Sequence, residues 1–435
     1  MTPSARLQAV LDILREVAAT PRPADALISS YFRARRYIGS KDRAAVADRV
    51  YAIFRHEGRL GWWLESQNLS PTPCLRLFAY LTLVEGATVA SLAALTDGKP
   101  FSLKALTPTE REGVRRLEGR PLHPPEMPEV LAHECPPWAE PGLRRRWGAD
   151  FSSHLAAFLN QASLDGRVNT LKMTREQALV SLKKVGESVE PCPFSPVGIR
   201  WLSERPALSN LALLREGALE IQDEGSQLIA ALLGAKAGEN VLDLCAGAGG
   251  KTLALAAAMH NKGRLTACDT SAKRLEQSIL RLRRAGVHNV TLRPLEGARD
   301  SYLRRHRGSF DRVLLDAPCS GMGVWRRHPE TRGRNLGPKL EDLMTTQAEL
   351  LTLAAELLKP GGRLVYATCS LLPEEDEDPI TRFLDTQVDF RLVPLREALP
   401  ESIVLPASES PYLILTPRDH ATDGFFAAAL ERATP

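Results

Sequence analysis

The feature that most constrains this chain is a regular alternation of short apolar runs and amphipathic helical patterns after residue 239. Strands that alternate with helices predict a parallel sheet covered by helices on both faces. The sequence therefore predicts a doubly wound α/β domain whose ligand lies at the carboxyl ends of the strands. The apolar runs span 241–244, 265–268, 290–292, 313–315 and 364–367, and the helical patterns begin at Gly249 and Ser271 and cover 345–358.

The region before residue 160 has a different pattern, with few strand signals. Apolar residues from Leu7 to Val17 recur at helical spacing, and similar patterns cover 24–36, 41–57 and 72–84. Seven of the 21 residues from 121 to 141 are proline, which marks a connector. We therefore predict three parts: a helical domain with its Pro-rich connector at 1–140, a small α+β linker region at 141–235, and the α/β domain at 236–435.

The charge balance is informative only locally. Lys and Arg number 56 against 52 Asp and Glu, a net charge of +4 that is too small to indicate nucleic-acid binding. The first 60 residues, however, hold eleven basic and six acidic residues. The densest run contains Arg33, Arg35 and Arg36, which form either a solvated helix face or a face that contacts RNA.

Several classes of protein are excluded by composition. No apolar run approaches the roughly 18 to 20 residues that span a bilayer, and Arg6, Asp12 and Arg15 interrupt the N-terminus where a signal peptide would be apolar. The seven cysteines are widely spaced, without a CxxC or CxxH pair, which argues against a disulfide framework and a zinc finger. We expect a cytoplasmic monomer without metal or membrane contact.

The first strand of the α/β domain leads into a turn of small residues at 245–250, followed by Lys251 and Thr252. Glycines let a ligand approach the backbone, and a helix start offers free N–H groups. The next strand ends at Asp269, whose carboxylate can accept both hydroxyls of a ribose. The turn and the carboxylate together predict an adenosine-containing ligand. The alternative is that Asp269 only caps the helix beginning near Ser271.

Two later strands end in cysteine-containing tips. The first reads Asp316, Ala317, Pro318, Cys319, and the second places Cys369 between Thr368 and Ser370. Both cysteines fall where this fold places its active site. A rigid Asp-x-Pro-Cys tip resembles the loops with which base methyltransferases hold a flipped-out base, and a cysteine there can act as a nucleophile. The alternative is that both cysteines are buried core residues.

With these motifs, the chain resembles the RNA cytosine-5 methyltransferases of the NOL1/NOP2/Sun group, in particular their bacterial ribosomal RNA members. The resemblance covers nearly the whole chain, including an N-terminal region similar to the NusB-like RNA-binding domain of those enzymes. Beyond the cofactor turn and the two tips, the matching segments are 41–43, 50–55, 167–172, 222–227 and 423–426.

The resemblance implies a Rossmann-like domain that uses S-adenosyl-L-methionine to methylate cytosine C5, most simply in 16S ribosomal RNA. In this family, the cysteine matched by Cys369 adds to C6, the one matched by Cys319 assists release, and Asp316 holds the base. The field that favours the thiolate comes from a helix N-terminus, from Lys251 or from the cofactor sulfonium. Two alternatives are a tRNA cytosine-5 methyltransferase and a non-catalytic RNA-binding assembly factor. The predicted cofactor-binding residues are Cys245, Ala246, Gly247, Ala248, Gly249, Gly250, Lys251, Asp269, Arg274 and Asp316, and the predicted RNA-binding residues are Arg33, Arg35, Arg36, Arg167, Asn169 and Lys172.

The chain departs from the family pattern at two places. Gly247 and Ala248 replace an Ala-Pro pair in the cofactor turn, which keeps the turn small but removes a rigid residue. Gly297 stands where the family has an aspartate that holds the adenine amine. Either Glu296 replaces that aspartate, or backbone groups alone hold the adenine.

Overall fold

The computed structural model describes residues 1–96, 103–203, 206, 208–333, 337–406 and 408–434. The chain forms two compact units, one of residues 1–160 with 325–337 and one of residues 161–324 with 338–435. The three predicted domain ranges remain a prediction. Within the described residues, no helix combines the length and the apolarity that crossing a membrane requires.

The first unit contains only helices up to residue 160 among the residues described, as the periodicity predicts. Their apolar faces pack into one core around side chains such as Val10, Leu27, Val50 and Phe78, none of which has measurable exposure. The helices are α1 Pro3–Ala19, α2 Ala24–Ala34, α3 Ser40–Arg55, α4 Glu57–Ser66, α5 Pro73–Leu83, α6 Val89–Ala93, α7 Pro108–Arg115, α8 Glu129–Ala132, α9 Glu140–Trp147 and α10 Phe151–Leu159.

The Pro-rich stretch at 121–141 is anchored within this unit by a buried ion pair. The Glu134 carboxylate accepts from the backbone N–H groups of Gly58 and Arg59, at 2.6 and 3.1 Å, and from Arg59 Nε at 2.9 Å. Burial raises the pKa of Glu134, against the effect of Arg59. The stretch is therefore fastened to α4 rather than free.

A segment from much later in the chain, 325–337, also belongs to the first unit. The Trp325 ring lies edge-on to Phe158 and Trp138, with ring centroids 6.1 and 6.0 Å apart. Arg332 donates to the Phe158 carbonyl at 2.7 Å. This segment comes after the Cys319 tip in sequence. The second unit is therefore made of two stretches of chain, 161–324 and 338–435.

The second unit begins with a small antiparallel sheet in the order β2-β3-β1-β4. The run at 167–171 is strand-like in sequence and predicts the first strand there, but that strand ends at Val168. The reason is Asn169, whose side chain accepts from Leu171 N at 3.1 Å and donates to two backbone carbonyls, which turns the chain. The elements are β1 Leu164–Val168, α11 Arg175–Lys184, β2 Val189–Pro191, β3 Gly198–Trp201, α12 Ala212–Arg215 and β4 Leu219–Ile221.

The rest of this unit is the predicted doubly wound domain, and the fold class is confirmed. Its main sheet has the order β10-β12-β9-β8-β5-β6-β7, with β11 paired to β12. Strands β5 to β9 are parallel, whereas β10, β11 and β12 are antiparallel additions. The elements are α13 Glu224–Leu233, β5 Asn240–Asp243, α14 Gly250–Ala258, β6 Arg264–Asp269, α15 Ala272–Ala285, β7 Val290–Pro294, α16 Ser301–Arg305, β8 Phe310–Asp316, α17 Leu340–Leu357, β9 Leu358–Thr368, α18 Glu377–Thr386, β10 Phe390–Val393, α19 Leu395–Ala398, β11 Leu413–Leu415, α20 Pro417–His420 and β12 Phe425–Arg432.

The strand order reverses at β5, which lies between β6 and β8, so a crevice opens at the carboxyl ends of these strands. The register between β8 and β9 pairs Asp316 with Ala367. Cys319 lies three residues after Asp316, and Cys369 lies two residues after Ala367. This register therefore brings the Cys319 and Cys369 tips side by side.

Candidate active site

The turn after β5 depends on two glycines. Gly247 and Gly249 have φ values of 55° and 80°, a region that glycine adopts without strain. A Cβ at Gly247 would lie 2.7 Å from the Arg274 guanidinium, and one at Gly249 would lie 2.8 Å from the Ser278 Cβ. Arg274 thus lies against the turn, and Cys245 is partly buried beside it; cofactor contacts of both remain predictions.

Asp269 lies at the end of β6 and is 7% exposed. Its two carboxylate oxygens accept from Gly247 N and Ser271 N, each at 2.8 Å. The N-cap of α15 is Ser271, whose N–H is held by Asp269, and both interpretations of Asp269 remain predictions. An ionised carboxylate has about four lone-pair sites, so Asp269 keeps capacity for ribose hydroxyls beside the glycine turn. The turn and Asp269 together fit an adenosine-containing cofactor.

Asp243, at the end of β5, is a polar residue of this edge that the sequence reasoning missed. It has no exposed surface and accepts from the Thr252 hydroxyl at 2.6 Å. Burial raises its pKa to about 7, with further contributions from Asp316 and Asp269. The sequence signal for Asp243 is its position at the end of β5, just before the glycine turn at 245–250.

Lys251 and Asp316 form an ion pair at the same edge, with Nζ 2.7 Å from the carboxylate. Burial alone lowers the pKa of Lys251, but Asp316 more than offsets this effect, and a Cys369 thiolate adds to it, so the pKa is raised. Lys251 is therefore a cation next to both the aspartate and the second cysteine. The Asp316 side chain is 32% exposed and so accessible from the crevice.

The two cysteines lie in contact, with 3.4 Å between their Sγ atoms. The hydrogen bond to Cys369 and then burial raise the pKa of the Cys319 thiol, and the Glu375 carboxylate adds to the shift. The raised pKa favours the thiol form of Cys319, and either sulfur can be the donor in this contact. The structure thus brings the two cysteines together, and their separate roles remain a prediction.

Gly323 fastens the chain that follows Cys319. Its N–H donates to the Cys369 carbonyl at 2.9 Å, and its carbonyl accepts from Gly424 N at 2.8 Å. A Cβ at Gly323 would overlap the Gly424 carbonyl and lie 2.8 Å from the Cys369 carbonyl oxygen. Only glycine permits this approach of three backbone segments.

The position expected to hold the adenine, Gly297, borders an open pocket of about 500 Å³ near the end of β7. Glu296 is exposed there, whereas Asp300 accepts from the backbone N–H groups of Glu296 and Tyr302 at 3.0 and 2.7 Å. Both alternatives for the adenine contact remain predictions.

Three predicted RNA-binding residues make internal contacts. Arg167 is 4% exposed and donates to Gln222 at 2.7 Å, and burial lowers its pKa to about 10. Asn169 donates to the Gly217 and Ala285 carbonyls, and Lys172 to those of Glu216 and Arg284, which fastens the end of α15. These hydrogen bonds explain the residue types without RNA, and an RNA contact for them remains a prediction.

The predicted basic run lies at the end of α2 in the helical unit. Arg33 and Arg36 are exposed and, with Arg43, line an open concavity of about 580 Å³. Arg35 instead stacks on the Tyr31 ring, 3.8 Å from its centroid. Two of the three predicted arginines are thus available to a polyanion.

Outside this site, Asp165, Cys192 and Glu224 form a buried group whose ligand atoms lie within 4.8 Å of one another. Arg200 already pairs with both carboxylates, at 2.8 and 3.3 Å. The guanidinium thus supplies the positive charge that the group requires, and the group ties β1, β3 and α13 together.

Comparisons with known proteins show the family to which the chain is similar. Residues 230–431 match the family described as 16S rRNA methyltransferase RsmB/F, and residues 135–207 match the RsmF/B-like ferredoxin-like domain. The probable ribosomal RNA small subunit methyltransferase B of Synechocystis sp. is 30% identical, over 99% of this chain and 100% of that protein. A methyltransferase homolog protein from Pyrococcus horikoshii is 31% identical with a TM-score of 0.59, covering 70% of this chain and 97% of its own. The structure of NSun6 from Pyrococcus horikoshii with SFG has a TM-score of 0.60 at 23% identity, covers 69% of this chain and 99% of its own, and supports the fold.

The fold and the site define a Rossmann-like methyltransferase dependent on S-adenosyl-L-methionine. The chain belongs to the RsmB/F family of 16S rRNA methyltransferases. The predicted resemblance to the bacterial ribosomal RNA enzyme RsmB, the fold class and the cofactor are thereby confirmed.

Proposed function

We propose that this enzyme methylates C5 of a cytosine in 16S rRNA through a covalent bond between Cys369 and C6 of the base. The observation that carries the proposal is the pair of thiols 3.4 Å apart, beside the Asp316 carboxylate at the cofactor edge. Methyl transfer to a ribose hydroxyl or to a base amine proceeds without a thiol adduct and does not require two adjoining thiols.

Cys369 is the nucleophile in this proposal. Cytosine C5 is a weak nucleophile, and addition of a thiolate to C6 makes C5 enamine-like. The Lys251 ammonium and the Cys319 thiol both favour negative charge on Cys369. When bound, S-adenosyl-L-methionine supplies the electrophilic methyl group. The residues suited to hold it are Asp269 and the backbone of the turn at 245–250, with Arg274 against the turn.

Asp316 has the role of holding the base. Its carboxyl group is partly exposed and paired with the Lys251 ammonium, so one oxygen can accept from the N4 amine of cytosine while the other passes a proton from Lys251 to N3. Holding this edge favours the form of the ring that accepts electron density when the C6–S bond forms.

Cys319 assists release. The Cys319 thiol gives its own proton to the departing Cys369 sulfur and takes the C5 proton in its place. The electron pair of the C5–H bond forms the C5–C6 double bond, and the C6–S bond breaks with its pair going to Cys369, which leaves as a thiol. The short distance between the sulfur atoms supports this division, because one base within reach of both thiols can undergo addition and release without moving.

RNA affinity beyond the catalytic edge is assigned to the helical unit, through Arg33 and Arg36 with Arg43 beside them. In this proposal, the predicted ranges 1–140, 141–235 and 236–435 serve as RNA-binding, linking and catalytic domains. The enzyme acts as a monomer in the cytoplasm.

The test uses an in vitro 16S rRNA transcript, with tRNA transcripts as the competing substrate. The wild type should form 5-methylcytosine in 16S rRNA, detected by mass spectrometry of digested nucleosides. On a denaturing gel, Cys369→Ala should form no protein-RNA conjugate, whereas Cys319→Ala should accumulate one. Conjugate with Cys369→Ala but not with Cys319→Ala reverses the assignment, and methylation confined to tRNA overturns the substrate.

A further inference from the structure

Glu375 lies beneath both cysteine tips and has no exposed surface. It belongs to the turn between β9 and α18, six residues after Cys369. Its Oε1 accepts from Ser320 N at 2.8 Å and from Gln347 Nε2 at 3.0 Å, and its Oε2 accepts from the Ser320 hydroxyl. The burial of this carboxylate is therefore offset by three hydrogen bonds, two of them to the residue next to Cys319.

Gln347 extends this contact to the other side of Cys319. It lies on α17 without exposed surface, and its Nε2 also donates to the Pro318 carbonyl at 3.0 Å. The residues before and after Cys319 are thus both held by the same pair of side chains. Because Pro318 also restricts its own φ, the Cys319 backbone has little freedom to move.

The backbone of the Glu375 turn is in turn fixed to the strand that carries Cys369. The Tyr366 hydroxyl donates to the Glu375 carbonyl at 2.6 Å, and the Thr368 hydroxyl donates to Asp376 at 2.7 Å. Both donors lie on β9, which leads directly into Cys369. Glu375 therefore connects the two tips, with its backbone attached to one and its side chain to the other.

We propose that Glu375 is a positioning residue that holds Cys319 within reach of the base bonded to Cys369, so that it serves the release step. The inference rests on the proposed function, since release is needed only when an adduct forms. Addition at C6 requires Cys369, which directly follows β9. Release requires Cys319 at a set distance from C5, and a displacement of about 1 Å in such a geometry can cost on the order of a hundredfold in rate.

The experiment compares four variants on the 16S rRNA transcript. Glu375→Ala removes all three hydrogen bonds. Glu375→Gln keeps an acceptor for Ser320 N and Gln347 and can donate to the Ser320 hydroxyl, so it retains the geometry without the charge. Ser320→Ala removes only the hydroxyl contact. Glu377→Gln, on the first turn of α18, is the matched control that removes a carboxylate two residues away.

Single-turnover rates of conjugate formation and decay are measured on denaturing gels, together with cofactor affinity by calorimetry and melting temperature. Glu375→Ala should slow conjugate decay roughly 10- to 100-fold while formation changes less than about threefold. Glu375→Gln should restore decay to within about threefold of the wild type, and Ser320→Ala should fall between the two. Cofactor affinity should not change in any variant, and Glu377→Gln should match the wild type.

The inference is overturned if Glu375→Ala slows formation and decay equally, or if Glu375→Gln is no better than Glu375→Ala. If Glu375→Ala does not fold, the decay rates of the wild type, Glu375→Gln and Ser320→Ala decide the question, and three equal rates overturn the inference. A wild type that makes no 5-methylcytosine refutes the proposed function instead, so the two failures are distinguishable.

Discussion

The helical unit and the catalytic unit both bury charged groups, but for different ends. In the helical unit, the buried Arg59 and Glu134 pair fastens a connector to α4. In the catalytic unit, Asp243, Glu375 and Asp376 are fully buried directly beneath the reactive edge. Both arrangements carry a desolvation cost. The pair in the helical unit only joins two segments of the fold, whereas the buried groups in the catalytic unit adjoin the residues to which we assign the chemistry.

The two units also respond to pH in opposite directions. In the helical unit, burial and then Arg59 lower the pKa of His56 to about 4. In the catalytic unit, burial raises the pKa of Asp243 to about 7. Protonation of the buried histidine and ionisation of the buried aspartate are both unfavourable in the folded state. The free energy of unfolding of the first unit should therefore fall at low pH, and that of the second unit at high pH.

The largest effect is expected from Gly323→Ala. Its Cβ would overlap the Gly424 carbonyl and press on the Cys369 carbonyl, so the tips should separate and methylation of 16S rRNA should fall about a hundredfold or more. Gly337→Ala is the control, because a Cβ there meets nothing within 4 Å. Full activity in Gly323→Ala would show that the catalytic edge tolerates movement of its backbone.

Asp243→Asn should stabilise the catalytic unit in a pH-dependent way. The folded-state pKa of about 7 lies above the unfolded value of about 3.9, so ionisation costs stability progressively between about pH 4 and 7, reaching about 4 kcal/mol above pH 7. The amide can still accept from Thr252. Denaturant unfolding followed by far-UV circular dichroism should show a gain at pH 8 that vanishes near pH 4. An equal gain at both values would contradict the titration.

His56→Phe should remove an acid sensitivity of the helical unit. With a folded-state pKa of about 4 and an unfolded value of about 6.5, the wild type keeps full stability above pH 6.5 and loses about 2 to 3 kcal/mol as the pH falls to 4. Tryptophan fluorescence reports on this unit, since Trp201 is the only one of the six tryptophans outside it. His123→Phe, which replaces an exposed histidine, should retain the acid sensitivity.

The smallest effect is expected from removing charge on the helical unit. The double variant of Arg33→Ala and Arg36→Ala should raise KM for 16S rRNA several-fold and lower the salt dependence of binding by about two phosphate contacts, with kcat unchanged. Arg115→Ala with Arg116→Ala removes the same charge from residues paired with Glu112 and serves as the control. Equal effects of the two double variants would mean that only net charge matters.

Much of the fold was predictable because local patterns carry it. The periodic apolar residues from Leu7 to Val17 lie on the buried face of α1, and the alternating runs after residue 239 became β5 to β9. The strand expected at 167–171 was placed too late, because the turn at Asn169 depends on carbonyls more than 40 residues away. Arg167 and Lys172 likewise look like RNA contacts in sequence, yet their hydrogen bonds lie within the fold.

By itself, the sequence determined that an α/β domain follows a helical region, that a glycine turn precedes a carboxylate, and that two cysteines end two strands. These are local properties, set by side-chain periodicity and by the backbone freedom of glycine and proline. The tertiary structure alone decided that the two Sγ atoms lie 3.4 Å apart, that Glu375 joins their tips, and that burial raises the pKa of Asp243. Those properties arise from strand register and from desolvation, which depend on residues distant in the chain that only the packed fold brings together.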